Sequence, residues 1–308
     1  MKKSRVPLLL SMGVLSLALS ACGGGGSEPL ADNEQATAQS ERADASHRSP
    51  PLPACPAPPQ TLQDITAVQG PGALSPLAGQ SVSVRGVVTA DFRAPGRLNG
   101  FFIQQPAPDA DPATSEGLFV FAPGNTVALQ IGDYVQASGT VVEFKSGSTD
   151  PERATQIAQL TQLDVCGPAR PIRPTRLRLP VDSNAELEAV EGMLVRFDQT
   201  LHVTESFSLG RFGELALSAR DRLYHPNNQP RLSADEARDL NPRLRIVLDD
   251  GLTTQNPAPI PNLSAADSSG TRRGDDVVQR LEGILSWGFD AYRVQPTTAP
   301  QFEARNPR

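Results

Sequence analysis

Apolar residues in this chain come in short runs, set at every second position and cut off by glycine and proline. The clearest run is Gly132-Asp133-Tyr134-Val135-Gln136-Ala137-Ser138-Gly139-Thr140-Val141. Val135, Ala137 and Val141 fall on one face of it, and Gln136, Ser138 and Thr140 on the other. A period of two belongs to a half-buried strand, because successive side chains leave a pleated backbone on opposite sides. No long segment carries the 3.6-residue period of an amphipathic helix, and 29 prolines and 25 glycines dilute the helix formers throughout. The expected fold class is all-β.

Four more runs of this kind lie between about Thr61 and Leu163: Ser81 to Thr89, Gly100 to Gln104, Gly117 to Phe121, and a last strand near Gln156 to Val165. Gly86 and Gly139 sit mid-strand, where glycine marks a bulge or a sharp bend. Five bent strands in about 100 residues suit an OB-like small barrel, with a small sandwich as the competing architecture. The expected first domain spans residues 61–168.

The proline-broken connector Arg170-Pro171-Ile172-Arg173-Pro174 leads into a second β-rich module with short helices, residues 169–308. Ser183 with Glu186 and Ser233 with Glu236 have the Ser-x-x-Glu spacing of a capping box. They predict one short helix ahead of Leu187 and another stopped by Asn241-Pro242. Glu191 to Phe197, Leu201 to Thr204 and Leu281 to Leu285 read as strands. Ile246-Val247-Leu248 runs into Asp249-Asp250-Gly251, a hairpin-type turn signal. Each module offers Gly-Asp-x-Val ahead of a second glycine, Gly139 in one and Gly283 in the other. Each also opens on an apolar-Gly-apolar strand, at Gly86 and Gly192. These correspondences suggest an internal duplication, although turn chemistry alone produces such dipeptides.

Ahead of the β modules the chain reads as an address. Lys2, Lys3 and Arg5 precede a mostly apolar run from Val6 to Leu19 that ends in Leu19-Ser20-Ala21-Cys22. Charged head, apolar stretch and small residues at the cut are the layout of a signal peptide, residues 1–21. The stretch is too short for a stable transmembrane helix. A Cys directly after Leu-Ser-Ala resembles the bacterial lipobox, which implies acylation of Cys22 and a membrane contact through the lipid anchor alone. Gly23 rather than Asp follows it. By resemblance to lipoprotein sorting, that points to the outer membrane, on its periplasmic or cell-surface face. Residues 22–60 are mostly Gly, Ala, Ser, Gln, Glu and Pro, too poor in apolar surface to offset ordering entropy, and read as a disordered tether.

Beyond Cys22 the only cysteines are Cys55 and Cys166, at the two edges of the first β segment. In an exported chain a disulfide between them is the economical reading, with two free thiols as the alternative.

The residues that break phosphodiesters do not assemble in this sequence. Such chemistry needs carboxylates around a metal and a group to handle the proton. His47 falls in the tether, His202 in a strand and His225 in a loop before Pro226, none with a metal-ligand partner at short spacing. Asp249-Asp250 and Asp275-Asp276 could serve as ligands, but each pair abuts glycine, as turn residues do, and turn chemistry is their plainer reading. The acidic loop Asp109 to Glu116 is the one candidate for a calcium ion, a solvated loop being its plainer reading. No catalytic residue, metal ligand set or other cofactor is assigned.

Several phrases exceed generic β sequence. They are Gly100-Phe101-Phe102-Ile103-Gln104 with the stretch Asp109 to Val120; Glu191-Gly192-Met193-Leu194-Val195 with Val203-Thr204-Glu205 and Leu209 to Glu214; Leu248-Asp249-Asp250-Gly251; and Asn306-Pro307-Arg308. In this order they resemble the N-terminal, non-catalytic half of large bacterial extracellular endonucleases, over about Gln63 to Arg308. In that family an OB-fold region precedes a metal-dependent domain of the endonuclease/exonuclease/phosphatase type. That domain begins just after the position matching Asn306-Pro307-Arg308, where this chain stops. Its Gly-Asp-x-Asn and Ser-Asp-His motifs do not occur here, so the resemblance carries a nuclease context and no catalytic residue.

Two functional classes follow. One is an accessory or truncated nuclease region that holds DNA or positions a separately encoded hydrolase. Bases would stack on exposed aromatics while arginines track the phosphates. Phe92, Arg93, Arg97, Phe101 and Phe102 are the candidates, though alternation lets only one of Phe101 and Phe102 face outward. The other is a structural or protein-interaction lipoprotein without a nucleic-acid role. The net charge of −6 favours the second, because phosphate affinity comes mainly from Lys and Arg. A hydrolase with an unrecognised site ranks third.

Overall fold

The computed structural model describes residues 51–147, 153–263 and 272–306. The signal segment, Cys22 and His47 lie outside the described residues, as does the tether up to residue 50. The fold is all-β, 38% strand and 11% helix, in two sheets. Among the described residues no helix is long and apolar enough to cross a membrane.

The first sheet contains β1 (Leu62–Gln63), β2 (Ser81–Phe92), β3 (Gly100–Gln104), β4 (Gly117–Phe121), β5 (Asp133–Phe144) and β6 (Ala154–Pro168). The five alternating runs of the sequence supply β2 to β6. Their order is β2-β3-β4-β6-β5, and β5 pairs again with β2, so the sheet closes on itself. The β4–β6 pairing is parallel and the other four are antiparallel. This is an OB-like five-stranded barrel. One long strand, β2, serves both ends of the closure: Ser81 to Val87 pair with β5, and Val87 to Phe92 with β3. The bends fall at register shifts, after Val88 in β2 and around Gly139 in β5. Phe101, Ile103, Leu118, Val120, Val135, Ala137 and Val141 fill the interior. Ile65 and Val68 of the short helix α1 (Ile65–Gln69) join them.

The polar face of β5 is not solvated. Gln136 and Ser138 are fully buried; the Ser138 and Ser83 hydroxyls lie 2.7 Å apart, and Gln136 Oε1 accepts from Arg85 Nε at 2.9 Å. Residues 52–60, assigned from composition to the tether, run along this face. Arg85 donates to the Pro56 carbonyl, Gln60 N–H donates to Ser83 Oγ, and a disulfide joins Cys55 to Cys166. A polar segment becomes ordered here because a covalent bond and the strand's own donors hold it.

The second sheet contains β7 (Thr175–Leu177), β8 (Leu194–Phe197), β9 (Leu201–Glu205), β10 (Leu215–Ala219), β11 (Arg245–Leu248), β12 (Val277–Val278), β13 (Leu281–Gly288), β14 (Ala291–Pro296) and β15 (Phe302–Glu303). β8 and β9 run in the same direction, three residues apart, and do not pair with each other; they are the halves of one bent strand. Taken so, the order is β9-β10-β11-β14-β13 and back to β8, with β11–β14 parallel and the other pairings antiparallel. That is the connectivity of the first barrel. Gly139 and Gly283 both occupy the fourth strand, and the Gly-Asp-x-Val phrases lead into it in both. The suspected duplication is thus a repeat of topology. Val195, Phe197, Leu201, Val203, Leu217, Ile246, Leu285 and Val294 fill the second core.

Three local expectations change. The helix α2 (Ala185–Glu188) is capped by Asn184 without a side-chain bond, and Glu186 accepts instead from Asp182 N–H, so Ser183 forms no capping box. Ser233 and Glu236 do form theirs on α4 (Ala234–Leu244), which follows the short α3 (Leu209–Phe212), but the helix carries Pro242 inside its last turn rather than ending before it. Burial of Leu244 and the Arg245 N–H bond to the Pro242 carbonyl keep that turn wound. Asp249-Asp250-Gly251 makes a turn but no hairpin, because β11 lies between β10 and β14.

Candidate functional site

The residues singled out for nucleic-acid contact gather where the two barrels meet. Past the register shift in β2, Ala90 and Phe92 point away from the first barrel's interior. They pack with Phe102 against Leu194 and Ile284 of the second barrel, with Leu98 and Phe119 at the margin. Phe92 meets Phe102 edge-on at 6.0 Å between ring centroids, and Phe102 meets Phe119 at 4.7 Å. Phe101 points the other way, into the first core. None of Phe92, Phe101 and Phe102 is more than 4% exposed. Alternation predicted two faces for β3 correctly, but both are covered, one by the barrel and one by its neighbour. The stacking platform expected there is corrected to packing.

The two arginines are committed as well. Arg93 forms a bidentate pair with Asp91, at 2.9 and 2.7 Å, and donates to the Val127 carbonyl at 2.7 Å. Its side chain is 12% exposed. The hydrogen bonds and charge of Arg93 outweigh burial at Asp91 and hold that carboxyl below its usual value. The Arg97 guanidinium lies 5.6 Å from the Phe92 ring centroid, and its backbone bridges to Leu252 across the seam. Further polar bonds stitch the same boundary. Leu194 N–H donates to Gln104 Oε1, Ser115 Oγ to the Glu191 carbonyl, and Thr253 N–H to the Gly96 carbonyl.

Beside the seam lies a cluster that sequence reading assigned to turn chemistry alone. Arg293, 5% exposed by side chain, donates to Asp249 Oδ2 at 2.6 Å and Glu214 Oε1 at 2.7 Å, and also to the Gly288 carbonyl. Asp249 Oδ1 accepts from Gly251 N–H, the turn bond its position implied. Asp250 accepts from Leu252 N–H through Oδ1, while its buried Oδ2 meets no donor among the described residues. Burial first, and then the neighbouring Asp249 charge, push the Asp250 carboxyl up to about 6 against that one hydrogen bond. A guanidinium shared by two carboxylates, with a third carboxyl of raised pKa beside them, makes a structural brace. Among the described residues, no three His, Cys, Asp or Glu side chains stand where they could hold a metal ion.

The acidic loop spends its carboxylates on itself. Asp109 accepts from Asp111 N–H and the Thr114 hydroxyl, and Asp111 from Ala113 N–H. Glu116 is buried, which raises its carboxyl above the usual value. His202 is half-buried in β9, and His225 caps the 3-10 turn Pro226–Asn228 by accepting from Asn227 N–H.

Sequence reading passed over one charged feature. Between Ala169 and Pro180 stand Arg170, Arg173, Arg176 and Arg178 without an acid among them. All four are exposed. β7 is an edge strand whose only partner is β8, with Arg176 in register with Arg196. Thr175 and Leu177 face the β8 side chains of Val195 and Phe197, so Arg176 and Arg178 turn outward. Asp198 takes one bond each from Arg176 and Arg196, leaving Arg170, Arg173 and Arg178 as a basic strip along the edge. The Arg-x-x-Arg-x-x-Arg-x-Arg spacing was the available signal.

No curated protein matches this chain. The stretch from Pro180 to Asn306, which holds the second barrel, is similar to a family described as a domain of unknown function (DUF8508), whose model matches residues 180–306.

Proposed function

We propose that this chain is a lipid-anchored, non-catalytic accessory region of the extracellular-nuclease kind, built to hold single-stranded nucleic acid beside a hydrolase. The observation that carries the reading is the pair of barrels sharing the OB-like strand order, locked by a seam that fixes one against the other. Tandem barrels of this sort suit an extended ligand, since binding then costs no ordering of the protein. With Phe92, Phe101 and Phe102 buried, contact falls to charge rather than stacking, and the edge carrying Arg170, Arg173 and Arg178 is the surface for phosphates. Such contact is sequence-independent and salt-sensitive.

Fluorescence anisotropy of a labelled oligothymidylate titrated with the mature chain at several salt concentrations tests this. Affinity should fall with salt, and Arg170→Ala/Arg173→Ala/Arg178→Ala should flatten the slope by about 2–3 phosphate contacts. Salt-independent binding, or none at low salt, supports the second reading, a structural or protein-interaction lipoprotein. The net charge of −6 favours that reading.

A further inference from the structure

The outer face of the second barrel carries a charged pocket, at the end of β13 remote from its turn into β14. Arg176 of β7, Arg196 of β8 and Glu282 of β13 stand in register across that face, while Val195, Phe197 and Leu281 beside them point into the core. Arg196, Arg280 and Glu282 line the pocket from the sheet, and Thr298 to Gln301 wall it from the segment ahead of β15. Its volume is about 300 Å³, at the small end of ligand sites. Arg280 is exposed and Glu282 half-buried, so both are open to a solute.

The charges of this pocket are not settled among themselves. Asp198 takes Arg196 at 2.8 Å and Arg176 at 3.1 Å, so one carboxylate serves two guanidiniums. The side chains of Arg280 and Glu282 pair neither with each other nor with any other group among the described residues. Arg280 also holds φ +54°, a left-handed backbone in which glycine or asparagine is the unstrained choice. A strained arginine kept on a pocket wall points to a use for its side chain. A simple anion on Arg280 would face Glu282 as well, and a simple cation on Glu282 would face Arg280. A ligand with both an acid group and an ammonium satisfies the two at once, the guanidinium donating to the acid and the carboxylate accepting from the ammonium. We propose that this pocket binds a compact zwitterion of the α-amino-acid class, its acid group on Arg280 and its ammonium on Glu282. The surplus guanidinium charge at Arg176 and Arg196 favours the acid end. Arg170, Arg173 and Arg178 take no part, so the inference stands apart from the nucleic-acid reading.

The mature protein is titrated calorimetrically with L-alanine, L-leucine, L-glutamate and L-lysine in turn, and with phosphoethanolamine, which carries the same two groups as a lipid headgroup does. At least one amino acid should bind saturably. Its analogues lacking the amine or the carboxylate should each bind about tenfold more weakly, as expected when one charge-assisted bond is lost. Arg280→Gln and Glu282→Gln should each weaken the amino acid about tenfold and leave the thermal melt in place, while Arg280→Lys, which keeps the charge, should retain part of the affinity. Glu282→Gln should also narrow the gap between the amino acid and its amine-free analogue, a change of selectivity that a structural role would not produce. The proposal is overturned by no saturable heat from any of the amino acids, by equal affinity for the analogues, or by unchanged affinity in both glutamine variants. Binding of phosphoethanolamine alone would assign the pocket to a lipid headgroup instead, and displacement by oligothymidylate would assign it to nucleic acid. Salt-dependent binding at the arginine edge is read separately by anisotropy, so the two readings fail independently.

Discussion

Gly117 and Gly192 touch backbone to backbone. Gly117 opens β4 in the first barrel and Gly192 precedes β8 in the second. A Cβ on Gly117 would overlap the Gly192 carbonyl carbon, and one on Gly192 would lie 2.8 Å from the Gly117 carbonyl carbon. Gly192 also holds φ +76°, where an L side chain is strained. Around this point the Ser115, Gln104 and Gln69 side chains make their bonds, Gln69 Nε2 donating to the Gly117 carbonyl at 2.6 Å. At this point the barrels meet main chain to main chain, which leaves no side chain to give way.

Gly117→Ala should therefore destabilise the protein by about 1–3 kcal/mol, the usual cost of forcing extra volume into a packed contact. Gly72→Ala is the control, since nothing lies within 4 Å of a Cβ there. Thermal melts of both against the parent check this. Equal midpoints for the two variants would remove the backbone contact as a structural determinant.

Asp250 makes stability depend on pH. Its folded carboxyl titrates at about 6, against 3.8 for the unfolded chain. A raised carboxyl value means that the folded state holds its proton longer. The contribution is fully present below about pH 4 and is lost as pH rises through about 6. Asp250→Asn mimics the protonated form and keeps an oxygen for Leu252 N–H. The melting difference between variant and parent should be small at pH 4.5 and grow in the variant's favour to pH 7.5. A difference constant across that interval would show that Asp250 does not titrate there.

Arg293 is the cation that Asp249 and Glu214 share in the same brace. Its removal in Arg293→Met would leave Asp249 and Glu214 facing a buried space without a counter-charge, at a cost of about 3–5 kcal/mol. Denaturant unfolding measures it. The double variant Arg293→Met/Asp249→Leu should recover part of the loss, and failure to do so would place the cost in packing rather than charge.

The first barrel was legible because its five strands alternate cleanly and Cys55 and Cys166 flank them. Alternation names the two faces of a strand; it does not say what lies over the second. Gln136 and Ser138 read as solvent-facing and are buried under residues 52–60, and Phe92 and Phe102 read as a free platform and are the seam. The second barrel was harder to read because its first strand is split at Asp198-Gln199-Thr200. Its closing partner, β14, pairs in parallel with β11 across more than forty residues. Ser183 and Ser233 share one motif, yet only Ser233 caps, since Asn184 begins the earlier helix instead. The groove between β9 and the β13–β14 hairpin had no sequence signature at all, because its lining residues Thr204, Tyr224, Arg245 and Trp287 come from four separate stretches.

Reduction of the Cys55–Cys166 disulfide should loosen one end of the molecule before the other. The bond spans 111 residues and pins residues 52–60 over the β2–β5 face. In the chain-entropy view such a loop contributes up to about 4–5 kcal/mol. Hydrogen exchange of the Cys55→Ser/Cys166→Ser variant should show the β5 and β6 amides losing protection while β13 and β14 keep theirs. Equal loss in both barrels would mean that the seam transmits the whole effect.

Phe102 separates packing from recognition. Its ring lies between Phe92 and Phe119 and is 3% exposed, so truncation opens a cavity between the barrels rather than removing a surface for bases. Phe102→Ala should cost about 3–5 kcal/mol in unfolding free energy. Oligothymidylate affinity, measured well below the melting midpoint, should stay within about twofold of the parent, because the arginine edge is untouched. Arg178→Ala should do the reverse, leaving the melt in place and lowering affinity. A Phe102→Ala protein that stays folded and loses its nucleic-acid binding would return the ring to the ligand and require the seam to open on binding.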